Sequence, residues 1–539
     1  MIFASNVFLF LFLPVFLLCY YLARDHWRSY VIVLGSYLFY AWWRPDFLLL
    51  FVAISYWNYW FGLRIKARVD AGEKKIAFRL LTVGVIGNLA TLGYFKYANF
   101  GADVLVAVLE PLGINTFTLE HIILPLGISF YVFQALSYIV DIYRRNAEPT
   151  HRFVDFAAYI ALFPQLIAGP ILRYSLIDKQ LKNRTHSLEL FSLGACRFML
   201  GFIKKVLIAD SLAPMNTLFI SGGGDLQMAD AWFGLFISAL QLYFDFSGYS
   251  DMAIGLGMMM GFRFAENFNQ PYIAQSITEF WQRWHMTLAD FLRDYVYMPL
   301  VRKRLVGMLV GLVITMVLSG LWHGPSFAFI FWGLFFGIAM VIERKLDIAT
   351  KVSTPYNFWR NARCMFLLAS CMPLFFTGNL PHALQVYQAL IGLDGIGSLD
   401  LYWFGTSAMT MTFTLIALLW IVIAGGINIR YYAGTGKDRY FMQHVGGFSA
   451  LLLWVGFLLT LTRLAANSFS PFLYFQFSGC LHVSGDELGQ QDQRDSLLRD
   501  AVRHVPVLAA GGVRLRRYPD PGPVAVSRRQ AGAQVRAVL

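Results

Sequence analysis

Two histidines in the middle of the chain have the residue type and surroundings for acid–base chemistry. His323 lies in LSGLWHGPSF, an uncharged stretch in which Gly324 and Pro325 should interrupt the preceding helix. His285 lies 38 residues earlier, in EFWQRWH. A neutral imidazole can take the proton of a hydroxyl group and make its oxygen nucleophilic toward an acyl carbonyl. The second histidine could orient the acceptor or stabilise the oxyanion.

Both histidines also have a purely structural interpretation. A lone histidine in an apolar span more often hydrogen-bonds a neighbouring helix than performs catalysis. His285, together with Trp281 and Trp284, could equally form an interfacial belt of amphipathic side chains. The chemistry of the residues leaves both interpretations open.

Further charged residues concentrate between residues 241 and 323, where apolar neighbours make each charge costly. We expect Asp245, Glu279, Arg283 and Asp294 to shape a polar cavity around the histidines. The predicted substrate-binding residues are Trp322, Gly324, Asp245, Glu279, Arg283, Trp284 and Asp294.

Other kinds of catalytic site lack their motifs in this sequence. The chain has no HExxH, no paired CxxC and no third histidine near the first two, which argues against a metal site. It has neither a GxSxG nucleophile motif nor a P-loop. Its five cysteines show no paired spacing. We therefore expect no metal and no tightly bound cofactor.

The composition predicts that the helices carrying these residues are embedded in a lipid bilayer. Of 539 residues, 57% are hydrophobic and only 14% are charged, against roughly 25% charged in soluble domains. Apolar runs recur to about residue 477, and each span of a bilayer needs about 20 apolar residues. The sequence predicts an all-α polytopic integral membrane protein with about 11–13 membrane segments. Several of these runs are short and indicate broken or re-entrant helices.

The net charge of +12 comes largely from short loops between apolar runs, such as the basic segment 64–79. Cytoplasmic loops collect Lys and Arg, so this pattern indicates membrane orientation and not nucleic-acid binding. The first helix, predicted at 7–22, has basic residues only after it, which places the N-terminus outside the cytoplasm.

The pairs Gly257/Gly261 and Gly333/Gly337 are candidates for close helix packing.

The composition changes after residue 477. Residues 478–539 are rich in Arg, Gly, Pro, Ala and Val and have no sustained periodicity. We predict a membrane domain over 1–477 and a disordered basic tail over 478–539. The tail also has the composition expected of an out-of-frame translation of a GC-rich gene.

Motifs over almost the whole chain to residue 477 make the sequence recognisable. They are SYLFYAWW, GYFKYANF, LPLGISFYVFQALSYIVDIYR, FPQLIAGPILRY, QLYFDFSGYSDMAIGLGMMMGFRF, NFNQPYIAQSITEFWQRWH, LRDYVYMPL and SGLWHG. With these motifs in this order, the sequence resembles the membrane-bound O-acyltransferase family and, within it, the bacterial alginate O-acetylation membrane proteins.

The resemblance implies about a dozen helices around a funnel or tunnel, with His323 matching the family's near-invariant histidine and His285 its second polar position. It implies an acetyl group taken from a cytoplasmic donor, plausibly acetyl-coenzyme A, for O-acetylation of an exported polysaccharide such as alginate. It also implies location in the bacterial inner membrane. The expected partners are periplasmic polysaccharide O-acetylation proteins and the exopolysaccharide synthesis and export machinery. No nucleic-acid partner is expected.

Four alternatives share these sequence features. The protein could acetylate another exopolysaccharide such as cellulose, or acylate a lipid, a teichoic-acid-like polymer or a protein. It could instead transport acetyl groups or polymer without chemistry, or serve as a scaffold for periplasmic acetylation proteins. In the last two cases the histidines would not be catalytic.

Overall fold

The computed structural model of the chain describes residues 1–114, 119–221, 226–399, 407–423, 429–432 and 441–466. The predicted tail, residues 478–539, and the domain boundary predicted at residue 477 both lie outside these ranges. Both therefore stay predictions.

The helices follow one another with short connections. In the first part of the chain they are α1 (Leu13–Leu22), α2 (Arg28–Ala41), α3 (Asp46–Asp70), α4 (Lys74–Leu109), α5 (Ile128–Tyr143), α6 (Phe153–Ala161), α7 (Phe163–Leu166), α8 (Tyr174–Lys182), α9 (Leu188–Phe202) and α10 (Asp210–Ser221). The later helices are α11 (Met228–Met259), α12 (Ile277–Trp281), α13 (Met286–Leu292), α14 (Met298–Arg302), α15 (Met308–His323), α16 (Phe327–Lys345), α17 (Phe358–Thr377), α18 (Leu380–Leu390), α19 (Ala408–Ile423) and α20 (Gly447–Ala466). π-Helical segments at Phe8–Phe12, Ile203–Ala209 and Arg293–Tyr297 adjoin α1, α9 and α14.

The helix breaks expected at proline are present. Helix α2 ends at Ala41 and α3 begins at Asp46, directly after Pro45, and α15 ends at His323 directly before Gly324 and Pro325. The sequence has two apolar runs, at about 80–95 and 102–113, which predict two separate segments, but the structure has the single helix α4 there. The intervening Tyr97–Gly101 stretch contains no proline, and one glycine in a long helix costs only about 1 kcal/mol.

The structure is that of an all-α membrane protein. Four helices in the described part of the chain are long and apolar enough to cross a bilayer, namely Asp46–Asp70, Lys74–Leu112, Phe327–Lys345 and Gly447–Ala465. Shorter apolar helices cover Phe8–Leu22, Ile128–Tyr143 and Met308–His323. The apolar run at about 154–172 predicts one segment, but the structure divides it into the short helices α6 and α7. Such divided helices are tolerated where other protein covers their backbone.

A small antiparallel strand pair adds to the helices. Strand β1 (Ile429–Tyr432) pairs with β2 (Phe441–Val445), with Ile429 opposite Val445 and Tyr432 opposite Phe441. The sequence interpretation did not anticipate this pair.

Close glycine contacts bring α9 and α11 together. A Cβ at Gly201 would overlap the backbone oxygen of Gly248, and one at Gly255 would come within 2.6 Å of the backbone nitrogen of Phe198. The predicted pair Gly257/Gly261 acts differently. Gly257 faces the ring of Phe264, and Gly261 lies beyond the end of α11 with φ of +82°. The helix contact therefore uses other glycines of α11 than the sequence pattern suggested.

The predicted pair Gly333/Gly337 does mediate close helix packing. A Cβ at Gly333 would overlap the backbone oxygen of Met316, and one at Gly337 would lie 2.9 Å from the Cα of Val313. Gly320, on the facing side of α15, is equally close to the backbone of Phe329. Helices α15 and α16 thus form a tight hairpin. His323 lies at the end of α15, where the connection of the hairpin begins.

Candidate active site

His323 is the last residue of α15 and is 4% exposed. Its imidazole packs edge-on against Trp332, at 5.1 Å between ring centroids, and against Phe375, at 5.3 Å. The following Gly324 ends the helix with an extended backbone, and a Cβ at that position would overlap the ring of Phe329. Glycine at this position lets the hairpin close while His323 stays buried.

A cavity of about 420 Å³ lies beside His323. Its walls are apolar and rich in aromatic rings, contributed by α11, α12, α16 and α17. The lining residues are Trp232, Leu235, Phe236, Ala239, Leu240, Leu242, Phe246, Tyr272, Phe280, Trp281, Trp284, His323, Trp332, Met365, Leu368, Ala369, Met372, Phe375 and Leu418. An imidazole on such a wall can act on a bound substrate in surroundings that contain little water.

His285 lies at the start of α13 and is 1% exposed. It has φ of +43° and ψ of +49°, a left-handed conformation that is uncommon for a residue with a side chain. Its ring packs edge-on against Phe246, with centroids 4.7 Å apart, and Nδ1 lies 3.0 Å from the Oδ1 atom of Asn267. Phe246 also lines the cavity, so His285 lies directly behind the cavity wall.

Trp322 connects the two histidines. Its ring centroid is 5.8 Å from that of His285 and 5.0 Å from that of His323. The structure therefore brings together His285, Trp322, His323 and Gly324, all of which the sequence predicted, although 38 residues separate the two histidines. Trp284 lines the cavity and stacks on Phe280 at 5.6 Å.

Lys96 is a buried cation at this site that sequence reasoning did not select. It lies within α4, is 5% exposed, and its Nζ atom donates to the backbone oxygen of Trp322. The same ammonium lies 5.6 Å from the centroid of the Trp322 ring, and the neighbouring Tyr97 hydroxyl donates to the backbone oxygen of Leu321 at 2.7 Å. The last carbonyls of α15 thus receive donors, and a positive charge faces its C-terminus. A lysine inside the apolar motif GYFKYANF was the signal that could have identified it.

Comparison with known proteins shows the family of the chain. The sequence model of the membrane-bound O-acyltransferase family matches residues 143–366, which contain both histidines. A probable alginate O-acetylase AlgI of Pseudomonas putida is 45% identical, and one of Azotobacter vinelandii is 46% identical; each match covers 88% of this chain and all of the relative. A peptidoglycan O-acetyltransferase of Helicobacter pylori is 31% identical over 88% of this chain and 98% of that protein. The chain belongs to the membrane-bound O-acyltransferase family. It is therefore an O-acyltransferase and an integral membrane protein.

In this acyltransferase, Glu279 and Arg283 pair with each other at 2.8 Å. Glu279 also accepts from the backbone N–H of Gln275 and the hydroxyl of Thr350, at 3.0 and 2.9 Å. Arg283 donates to the backbone oxygen of Asn269. The pair therefore ties the loop before α12 to the segment after α16. Neither side chain lines the cavity, and their predicted contact with substrate stays a prediction.

Asp245 and Asp294 also have protein partners. Asp245 pairs with Lys205 at 2.6 Å, and Asp294 pairs with Arg173 and Arg293. Burial alone would raise the pKa of Asp294, but the hydrogen bond and charge of Arg293, with the charge of Arg173, hold that pKa below its usual value. The cavity wall consequently lacks the charged residues that the sequence pattern suggested for it, and their role toward substrate also stays a prediction.

No three His, Cys, Asp or Glu side chains converge into a candidate metal site within the ranges that the structure describes.

Proposed function

We propose that this acyltransferase is an O-acetyltransferase of the bacterial inner membrane that acetylates an exported polysaccharide, with alginate as the substrate most directly supported. The support is the similarity to the alginate O-acetylases of two bacteria, at 45% and 46% identity over their whole length.

The observation that carries the chemistry is the placement of His323 on the wall of a 420 Å³ aromatic cavity, with His285 directly behind that wall. We propose acetyl-coenzyme A as the donor. The hydroxyl oxygen of the acceptor attacks the acetyl carbonyl carbon, the C–S bond breaks, and the hydroxyl proton passes through an imidazole to the leaving thiolate. His323 is the general base or positions the acceptor hydroxyl, and His285 assists.

The direction of transfer follows from where the two substrates occur. Acetyl-coenzyme A is made in the cytoplasm, and its phosphates suit the basic segment 64–79, where α3 ends and α4 begins, whereas the polymer is exported. Periplasmic polysaccharide O-acetylation proteins would then accept the acetyl group or complete its transfer, beside the synthesis and export machinery.

The test is a deletion strain complemented with the wild-type gene or an empty vector. We expect complementation to restore the acetyl content of secreted alginate, measured as ester released by mild alkali. Inverted membrane vesicles supplied with acetyl-coenzyme A labelled in the acetyl group should transfer label only when they contain the protein. Unchanged acetyl content in the deletion strain would contradict the proposal.

The same strains separate the alternatives. Loss of acetyl groups from cellulose or another exopolysaccharide would identify that polymer as the substrate and leave the proposed acetyl-transfer chemistry unchanged. Loss from peptidoglycan would agree with the 31% identity to the Helicobacter pylori enzyme. Uptake of label without ester formation would indicate a transporter, and normal acetylation by histidine variants would indicate a scaffold.

A further inference from the structure

A cluster of basic side chains lies where the end of α1 and the start of α2 meet the loop before α9. Arg28 begins α2, and Arg184 and His186 lie in that loop. The guanidinium of Arg28 pairs with Asp25 at 2.6 Å, but the Asp25 side chain is 91% exposed. Arg184 donates to the hydroxyl of Ser29 at 2.9 Å and forms no ion pair within the ranges that the structure describes. Neighbouring protein therefore neutralises these two half-buried guanidinium groups only in part.

His186 adds no charge to the cluster. Burial, together with the charges of Arg28 and Arg184, lowers the pKa of His186 below its ordinary value of 6.5, so the ring is neutral at pH 7. An arginine can only donate, so Nδ1 of His186 accepts from Nη1 of Arg28 at 3.1 Å. Nε2 then carries the hydrogen and donates to the Tyr20 hydroxyl oxygen at 3.0 Å, while that hydroxyl donates to the backbone oxygen of Met260 at 2.7 Å. These bonds hold Arg28 in place and leave its charge unchanged.

The two guanidinium groups have N–H groups that the protein does not use. Nε of Arg28 and both Nε and Nη1 of Arg184 are buried and have no hydrogen-bond partner within the described part of the chain. The guanidinium of Arg184 lies over the ring of Phe262, at 5.0 Å from its centroid, which covers one face and leaves the in-plane N–H groups for an acceptor. By contrast, Arg68 at the end of α3 pairs with Glu73 at 2.8 Å. A buried donor without an acceptor costs free energy, so the cluster has capacity for an anion.

The neighbouring side chains place this cluster at the level of the lipid headgroups. Leu18 and Leu22, near the end of α1, are exposed, as expected of side chains that face hydrocarbon. Trp27 and Tyr30 follow them and are also exposed, and aromatic residues collect at membrane–water interfaces. The basic residues after α1 predict that this interface is the cytoplasmic one. Anionic phospholipids give that leaflet a negative surface potential, and basic pockets between helices bind their headgroups.

We propose that Arg28 and Arg184 bind the phosphate of an anionic phospholipid headgroup between α1, α2 and the loop before α9. Arginine suits this ligand because its planar guanidinium can donate two parallel N–H bonds to phosphate oxygens. The acyl chains of the lipid lie along the exposed leucines of α1. A zwitterionic lipid fits less well, because its headgroup brings a positive charge to a cluster that already has an excess of it. Neither arginine lines the cavity beside His323, so the site is independent of the proposed function.

The experiment measures lipid binding to the full-length protein in detergent by native mass spectrometry. Phosphatidylglycerol is titrated into the wild type and Arg184→Gln, and phosphatidylcholine is the zwitterionic comparison. We expect the wild type to bind phosphatidylglycerol at least about 10-fold more tightly than phosphatidylcholine. Arg184→Gln should bind phosphatidylglycerol about 10-fold more weakly than the wild type, because charged hydrogen bonds to the phosphate are lost. Arg184→Lys, which keeps the charge and loses the planar fork, should fall between the two.

The matched control is Arg360→Gln, which removes an exposed arginine from the start of α17 and should bind phosphatidylglycerol as the wild type does. Equal binding of the two lipids by the wild type would overturn the inference, as would equal binding of phosphatidylglycerol by the wild type and Arg184→Gln. If Arg184→Gln does not fold, the affinity of Arg184→Lys decides the same question.

A second titration distinguishes a lipid phosphate from a soluble one. Coenzyme A is added to the wild type loaded with phosphatidylglycerol, and we expect the lipid to stay bound. Displacement of the lipid by coenzyme A in the wild type would assign the site to a soluble phosphate compound and overturn the inference. None of these measurements requires acetyl transfer, so a failure of the proposed function would leave their outcome unaffected.

Discussion

Two regions of the acyltransferase bury polar side chains, and they satisfy them differently. Between α9 and α11, Arg197 pairs with Asp251 and Glu266, both at 2.6 Å, and Lys204 pairs with Asp251 at 2.7 Å. Around the cavity the walls are aromatic, and the buried Nε2 atom of His285 has no hydrogen-bond partner among the described residues. Helix α11 serves both regions, since it carries Asp251 beside Ser250, the partner of Asn267.

The difference distinguishes polar groups that hold the helices together from polar groups that are available for chemistry. Buried charges that neutralise one another can hold helices in place, but they have no capacity left for a substrate. A buried ring nitrogen without a partner, beside a cavity that contains little water, can still bind a substrate. Burial alone therefore does not identify a catalytic residue in this protein, whereas the partners of the buried atom do.

The largest expected effect on transfer comes from removing the imidazole on the cavity wall. His323→Ala should lower acetyl transfer by about 100- to 10,000-fold, because the proposed mechanism places this imidazole of the cavity wall beside the acceptor hydroxyl. The measurement is the initial rate in membrane vesicles, corrected for the amount of protein. His186→Ala is the control, since His186 bonds to Tyr20 and Arg28 outside the cavity. Full activity in His323→Ala would make His323 a packing residue.

Breaking the charge network should act on stability instead. Asp251→Ala leaves Arg197 and Lys204 buried without their shared carboxylate, which should cost about 3–5 kcal/mol. The expected result is a clearly lower unfolding temperature in detergent and less protein in the membrane. Asp46→Ala, which removes an exposed partner of Arg44, should cost less than about 1 kcal/mol. Equal unfolding temperatures for the two variants would remove the distinction between the regions.

Lys96→Met tests whether the buried ammonium belongs to the site. Loss of its charged hydrogen bond to the Trp322 carbonyl should displace the end of α15 and lower the transfer rate by roughly 10- to 100-fold, with the protein still folded. Lys303→Met, on the loop between α14 and α15, is the control and should keep its activity. If Lys96→Met only reduced the yield of a fully active protein, Lys96 would belong with the structural charges.

The smallest effect is expected for Asp294→Asn. The Asp294 side chain is 31% exposed, so losing its pairs with Arg173 and Arg293 should cost less than about 1 kcal/mol and change the transfer rate less than about twofold. Because the folded-state pKa is lowered, this contribution is present at neutral pH and is lost as the pH falls through that pKa. Urea unfolding at pH 7 and at about pH 2, well below the ordinary Asp pKa of 3.8, measures it. A tenfold loss of transfer at normal stability would restore Asp294 as a substrate-binding residue.

Much of the helical framework could be predicted from hydropathy and proline positions. The break at Pro45 and the end of α15 before Gly324 follow from local backbone chemistry, and the structure has both. The continuous α4 and the strand pair β1–β2 could not be predicted, because nothing in the local pattern required them. The helix contacts of α11 also depend on its partner α9, which the spacing of glycines along a single chain segment does not reveal.

The candidate site could be predicted as far as its histidines. His323 was identifiable because an ionisable residue in an uncharged span is costly, and His285 because of its motif. Asn267 and Lys96 escaped notice because their roles depend on partners at a distance in the chain, such as the carbonyl of Trp322, 226 residues after Lys96.

The sequence by itself determined that this chain is an all-α membrane acyltransferase, since its apolar runs require a bilayer and its motifs carry the family's histidines. Only the tertiary structure decided which buried polar groups are paired. A charge in an apolar run is equally visible in the sequence whether it meets a counter-ion or a substrate. The hydrogen bonds of Asn267 to Ser250 and His285 exist only once α11 and α13 are packed together.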